Sequence, residues 1–236
     1  MFLLKEKIRL ALTAVLLMGL IVFCWKMSEK LRTTIEEGRE TSGKAAEKQP
    51  LVILDPGHGG KDPGKIGING AKEKDINLQI SLEIWDILSE EGIEADVTRT
   101  TDERLADSQV EDLRARVEMI NEIGPCLTVS IHQNSYSDES VKGAQVFYFQ
   151  NSEEGERAAG YIQNAFAKID PENTKQIKAN DTYYLLKNTE VPVVIAECGF
   201  LSNYEEAENL MTDEYRKKVA GAVAEGIFKY IEAVSR

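Results

Sequence analysis

"VILDPGHGGKDPG", Val52 to Gly64, is the stretch from which the fold can be read. Leu51 to Leu54 is an apolar run of the length of a buried strand. The Pro and Gly residues after it can only form a loop leaving the strand's C-terminal end. In parallel sheets that end is where ligands bind. His58 sits in this loop among glycines, so the stretch predicts both an α/β architecture and the place of its chemistry.

Working outward, strand and helix signals alternate. Ile76, Ile80, Ile84 and Leu88 recur every four residues up to Gly92, the pattern of an amphipathic helix with its cap. "GIEADVTRT" returns a short strand, and Val110, Leu113, Val117 and Ile120 repeat the helical spacing. "CLTVSIHQN" is an apolar strand ending at His132, "GAQVFYF" alternates as a half-exposed strand, and Glu153 to Ile169 is a helix. "VPVVIAECGF" has the composition of a fully buried strand. A last helix carries Val219, Val223, Ile227 and Ile231 in register. One three-layer α/β domain over residues 51–236 accounts for this order.

The first fifty residues differ. After Lys5, Lys7 and Arg9 comes the uncharged run Leu10 to Trp25, with the order of a signal peptide or anchor. No small-x-small cleavage site follows cleanly, and Phe23 before Cys24 is unlike a lipoprotein signal. Residues 1–26 are therefore expected to form an uncleaved membrane anchor, and the polar residues 27–50 a stalk. Charge excludes nucleic acid as a partner. Of 28 Lys and Arg and 40 Asp and Glu, residues 1–50 hold nine and six, so residues 51–236 carry 19 against 34, a formal charge of −15. The three cysteines, Cys24, Cys126 and Cys198, form no CxxC or dense framework. Cys126 and Cys198 are expected to be small buried hydrophobes, with a disulfide open to them if their strands are neighbours.

The chain has only two histidines, and each follows a buried strand: His58 after "VILDPG" and His132 after "LTVSI". Glu197 ends the apolar run "VVIAE", where a carboxylate needs a partner because burying an unpaired charge costs several kcal/mol. Glu73, at a helix N-terminus, is favoured there by the dipole and needs no function. Two imidazoles and one carboxylate with an open fourth position make a catalytic zinc site, which lowers the pKa of its water to about 7. A further carboxylate would then act as general base. "GHGGKD" is no phosphate loop, because Asp55 and Asp62 stand where glycine and Ser/Thr are required.

"DPGHGGKDPG", "KEKDINL", "SIHQNS" with "KGAQVFYF", and "VPVVIAECGFLSN" resemble the four signature blocks of the zinc-dependent N-acetylmuramoyl-L-alanine amidases, the amidase-3 family. Order and approximate spacing agree along nearly all of residues 51–234. The resemblance implies an α/β domain with a mixed, largely parallel sheet of about six strands. It implies one zinc ion per chain, held by His58, Glu73 and His132, with Glu197 as catalytic base, and so reverses the structural reading of Glu73. The implied substrate is peptidoglycan and the implied bond is the amide between N-acetylmuramic acid and L-alanine. Arg99 and Arg116 match family positions and are expected to form scaffold ion pairs. Asn134 is a candidate substrate contact, and Asn203 a helix cap.

A minimal catalytic domain behind an N-terminal anchor is most similar to the germination-specific members of the family in endospore-forming bacteria. That implies an extracytoplasmic domain, in the forespore intermembrane space, acting in cortex maturation and muramic δ-lactam formation, with an accessory protein partner open. The alternatives are a vegetative autolysin and a non-catalytic peptidoglycan-binding module.

Overall fold

The computed structural model describes residues 51–235; the expected anchor and stalk lie outside them. Among the described residues, no helix is long and apolar enough to cross a membrane. The elements are β1 (Val52–Pro56), α1 (Glu73–Glu90), β2 (Ala95–Val97), α2 (Gln109–Ile123), β3 (Leu127–Asn134), β4 (Gln145–Phe149), α3 (Glu153–Ile169), β5 (Lys178–Asn180), α4 (Tyr184–Asn188), β6 (Val193–Phe200), α5 (Tyr204–Leu210) and α6 (Asp213–Val234).

They form one six-stranded sheet in the order β2-β1-β3-β6-β4-β5. β2, β1, β3 and β6 pair in parallel, whereas β4 runs antiparallel to β6 and carries β5 parallel to itself. This is the mixed, largely parallel sheet that the resemblance implies. Alternate residues of the central strands supply two apolar layers. Val52, Leu54, Val129, Ile131, Val194 and Ala196 pack into the larger core with α1, α3 and α6. On the other face Ile53, Phe147, Val193 and Ile195 pack against Val117 and Ile120 of α2 and Leu185 and Leu186 of α4. The helical spacing read from the sequence falls on the buried stripes of α1, where Ile76, Ile80, Ile84 and Leu88 are all 2% exposed or less, and of α6. In α2 Val117 and Ile120 are buried but Val110, in the first turn, is 58% exposed, because it lies beyond the strands that the helix packs against.

Local signals fix the helix ends. Ser108, Ser152 and Thr212 accept from the main chain of the first turns of α2, α3 and α6, and Gly124 closes α2 with a left-handed φ of 63°. Asn203 caps α5 by accepting from Glu206 N, as expected. "GAQVFYF" yields β4, half-exposed as expected and interior to the sheet because β5 covers its outer edge. Cys126 and Cys198 are both free thiols; Cys198 is the small buried hydrophobe expected, its thiol pushed well above the usual range by burial, whereas Cys126 is only partly buried.

What this topology does for function is simple. β1, β3 and β6 are parallel neighbours, so their C-terminal ends open on one edge, and His58, His132 and Glu197 are all carried to it.

Candidate active site

The loop after β1 is built under backbone constraint. His58 is the one non-glycine residue with positive φ among the described residues, at 63°, followed by Gly59 at 138° and Gly60 at 54°. Such a conformation is costly for a side chain and persists only where the surroundings enforce it. Two buried arginines do so. Arg99 donates to the carbonyl oxygens of Pro56 (3.0 Å) and Gly57 (3.0 Å), and also to those of Thr101 and Lys74. Arg116 donates to Pro56 O (2.8 Å) and His58 O (2.8 Å), while pairing with Asp55 (2.6 Å) and Asp112 (2.9 Å). Arg116 is thus the scaffold ion pair expected of it. Arg99 is instead a clamp on main-chain carbonyls, its pKa pushed down to about 10 by burial and by Arg116.

Gly57 does not turn the chain. Its Cα packs under the imidazole of His132, where an added Cβ would lie 2.2 Å from the ring. The loop's glycines therefore divide their work: Gly59 and Gly60 supply unusual torsions, and Gly57 supplies close approach.

Glu73 opens α1, yet its carboxylate turns into the site, where it accepts from Lys65 N (2.7 Å) and Gln133 N (3.1 Å). Its two oxygens face His58 Nε2 at 3.2 Å and His132 Nδ1 at 3.0 Å. One donor atom each from His58, Glu73 and His132 all lie within 4.8 Å of one another. Asp62 Oδ2 accepts from His58 Nδ1 at 2.9 Å, which fixes the proton there and turns Nε2 toward the cluster. Burial opposes charge on His58, but hydrogen bonds and attraction from Glu73 and Asp62 prevail and raise its pKa to about 9. Burial likewise opposes ionisation of Glu73, yet the two imidazoles hold its carboxyl far below the usual range.

His132 and Glu197 are direct partners in the β3–β6 register. Glu197 is 9% exposed and its Oε2 is buried without a hydrogen-bond partner. Burial raises its pKa to about 7, with His132 pulling down and Glu73 pushing up. A cavity of about 250 Å³ opens in front of His58, His132 and Glu197 and is walled by Leu113, Ile195, Tyr184 and Leu185.

The donor set tests what the cluster can hold. Two imidazoles and a carboxylate suit zinc or a similar first-row ion, and no thiolate competes, since Cys198 Sγ points to Ala196 O. An orphaned carboxylate oxygen beside such a cluster is the group a metal-bound substrate or water would satisfy. The structure thus brings together all four residues singled out in the sequence. Asn134, the candidate substrate contact, lies on the rim of a neighbouring cleft.

Three contributors escaped the sequence reading. Asp62 sits four residues after His58, a spacing that could have marked it as the histidine's partner. Asn77, buried on α1, donates to Gly57 O (3.2 Å) and accepts from Gln133 Nε2 (3.2 Å), tying the helix to the loop that carries His58 and to the strand that carries His132. Tyr183, beside Glu197, belongs to a segment with no periodic signal; burial and the Glu197 charge raise its phenol pKa.

Comparison with known proteins places this site in context. A family model described as N-acetylmuramoyl-L-alanine amidase matches residues 52–229. The germination-specific N-acetylmuramoyl-L-alanine amidase of Bacillus subtilis is 37% identical over 188 residues, covering 76% of this chain and 79% of the relative. The Escherichia coli amidase AmiA is 28% identical over 270 residues, covering 96% of this chain and 91% of its own. Among solved structures, the CwlD amidase from Clostridioides difficile, in complex with the GerS lipoprotein, superposes with a TM-score of 0.75 at 34% identity, covering 78% of this chain and 99% of that one.

Proposed function

Since the chain belongs to the N-acetylmuramoyl-L-alanine amidase family and is an enzyme of that kind, we propose that it works as a zinc hydrolase with His58, Glu73 and His132 as ligands and Glu197 as base. The observation that carries this is the convergence of those three donors beside a carboxylate whose Oε2 has no partner. Zinc, when bound, would polarise the scissile carbonyl and acidify the attacking water. The chain's own groups do the rest. Asp62 holds the His58 proton on Nδ1, leaving Nε2 for the metal. Main-chain donors from Lys65 and Gln133 fix the Glu73 carboxylate. Glu197, held near neutrality by burial, takes the proton from the attacking water and passes it to the nitrogen that leaves with L-alanine.

The biological setting follows the similarity to a germination-specific amidase. We infer action on spore cortex peptidoglycan, before muramic δ-lactam forms, by a domain of residues 51–236. Residues 1–26 would anchor it and residues 27–50 would space it from the membrane, so that it works outside the cytoplasm in the forespore intermembrane space. An accessory lipoprotein is the partner class supported by the complex of the C. difficile amidase.

Elemental analysis tests the metal assignment. Wild type should carry one zinc per chain, and His58→Ala, Glu73→Ala and His132→Ala should each lose it while remaining folded. Stoichiometric zinc in a folded His58/His132 double variant would place the metal elsewhere. Muropeptide analysis of spores from a Glu197→Gln strain tests the setting: δ-lactam should be absent, and normal δ-lactam would remove the cortex role.

A further inference from the structure

The active-site edge continues across the sheet. In the antiparallel β4–β6 register Gln145 is the partner of Glu197 and Phe147 of Ile195, and in the parallel β4–β5 register Lys178 is the partner of Phe147. Passing along the sheet, the order is therefore ligands on the β1 and β3 side, base on β6, then β4 and β5. On this second half lies a cleft of about 400 Å³. Tyr183 lines both this cleft and the cavity in front of the metal cluster, so the two are neighbours across that side chain.

Its chemistry differs from the rest of the molecule. No carboxylate lines it, although the chain carries a formal charge of −12. Instead two ammonium groups stand over aromatic rings: Lys175 Nζ lies 5.2 Å from the centroid of Phe200, and Lys178 Nζ 5.7 Å from that of Phe147. Among the described residues neither lysine is in a salt bridge, which is also true of Lys61, Lys65, Lys72, Lys187 and Lys217, but Lys175 and Lys178 alone stand over aromatic rings. Each ring face holds one side of an ammonium group, whose three N–H donors point to more than one side and so leave the other open to an anion.

We propose that this cleft binds the acidic stem peptide of the substrate, with Lys175 and Lys178 receiving its carboxylates. The proposal rests on the amidase reading and deepens it. Glu197 delivers the proton to the leaving amine, so the amine lies on the Glu197 side of the site. The peptide attached to that amine is then directed across β4 toward β5, where the two lysines wait. Charge-assisted hydrogen bonds to carboxylates are the strong kind, and two of them in a cleft give discrimination against an uncharged peptide.

The test uses the zinc-loaded full chain in mild detergent and one peptidoglycan preparation in two forms, native and with its stem carboxylates converted to carboxamides. Wild type should cleave the native form about tenfold faster than the amidated one, the scale of a charge-assisted contact. Lys175→Gln/Lys178→Gln should lose that tenfold on native polymer and match wild type on amidated polymer. The direction is diagnostic, because a chain of net negative charge would by general repulsion favour the amidated form. Equal wild-type rates on the two forms, or an equal loss on both in the double variant, would overturn the proposal while leaving the amidase reading intact. Wild-type inactivity on both would instead strike the amidase reading. Sedimentation of Glu197→Gln with each polymer then decides the cleft by itself: preference for the native form, abolished by the lysine changes, supports it, and equal retention overturns it.

Discussion

At Gly57 an added methyl would stand 2.2 Å from the His132 ring, and that ring has nowhere to go without leaving Glu73. Gly57→Ala should therefore weaken zinc binding and activity together, measured by competition with a chelator; unchanged affinity would show that the loop gives way instead. Asp62→Asn probes the other imidazole. It removes the charge that holds the His58 Nδ1 proton and should lower metal affinity roughly 10–100-fold, the usual effect of losing an outer-shell partner. At this scale the sequence was partly legible. His58, His132 and Glu197 stood out because titratable groups ended apolar strands. Glu73 did not, since a glutamate at a helix start has an ordinary explanation, and only the resemblance redirected it. Asp62 left only its four-residue spacing from His58 as a signal, and Asn77 left none, because nothing local distinguishes a side chain that braces its neighbours from one that faces solvent.

The element that matters most is the β1 strand with its loop, and it is held from behind. Asp55, Arg116 and Asp112 are all buried, and Arg116 joins the two carboxylates to the carbonyls of Pro56 and His58. Arg116→Met keeps the volume but strands two carboxylates, and should cost about 3–5 kcal/mol in urea unfolding, as removal of one member of a buried ion pair does. Burial alone would raise the Asp55 pKa, but Arg116 and hydrogen bonds from Thr98, Ser130 and Arg116 hold it below the usual carboxylate value. Asp55 therefore binds fewer protons folded than unfolded. Its stabilisation is complete above the unfolded value, near pH 4, and is lost as pH falls through the lower folded value. The stability gap between wild type and Asp55→Asn should accordingly shrink as pH drops below about 4; a gap that widened in acid would refute the pairing. Long periodic elements such as α1 and α6 were readable, whereas β5 and α4 were not. They have only three and five residues, too few for a period to show, and they are formed by what they pack against.

Across the whole molecule, a single topological fact organises the site: parallel β1, β3 and β6 bring His58, His132 and Glu197 to one edge, where α1 adds Glu73, and antiparallel β4 with β5 borders that edge with a cleft lined by Lys175 and Lys178. The sequence foretold the first half through its alternation of strands and helices; strand order and the reversed direction of β4 depend on long-range pairing that no local pattern encodes. A preformed three-donor cluster also predicts a stability linkage. Zinc at 100 times its dissociation constant should stabilise the fold by about 2.7 kcal/mol and raise the melting temperature, and His132→Ala should abolish the shift. The central claim is that these residues hydrolyse the bond between muramic acid and L-alanine, with Glu197 moving the proton. Mass analysis of the ends released from purified peptidoglycan by the zinc-loaded chain tests it most directly. Wild type should generate new L-alanine amino termini paired with free lactyl carboxyls, and Glu197→Gln, still folded and holding zinc, should do so roughly 10²–10⁴ times more slowly. Ends arising at any other bond, or undiminished cleavage by Glu197→Gln, would contradict the account.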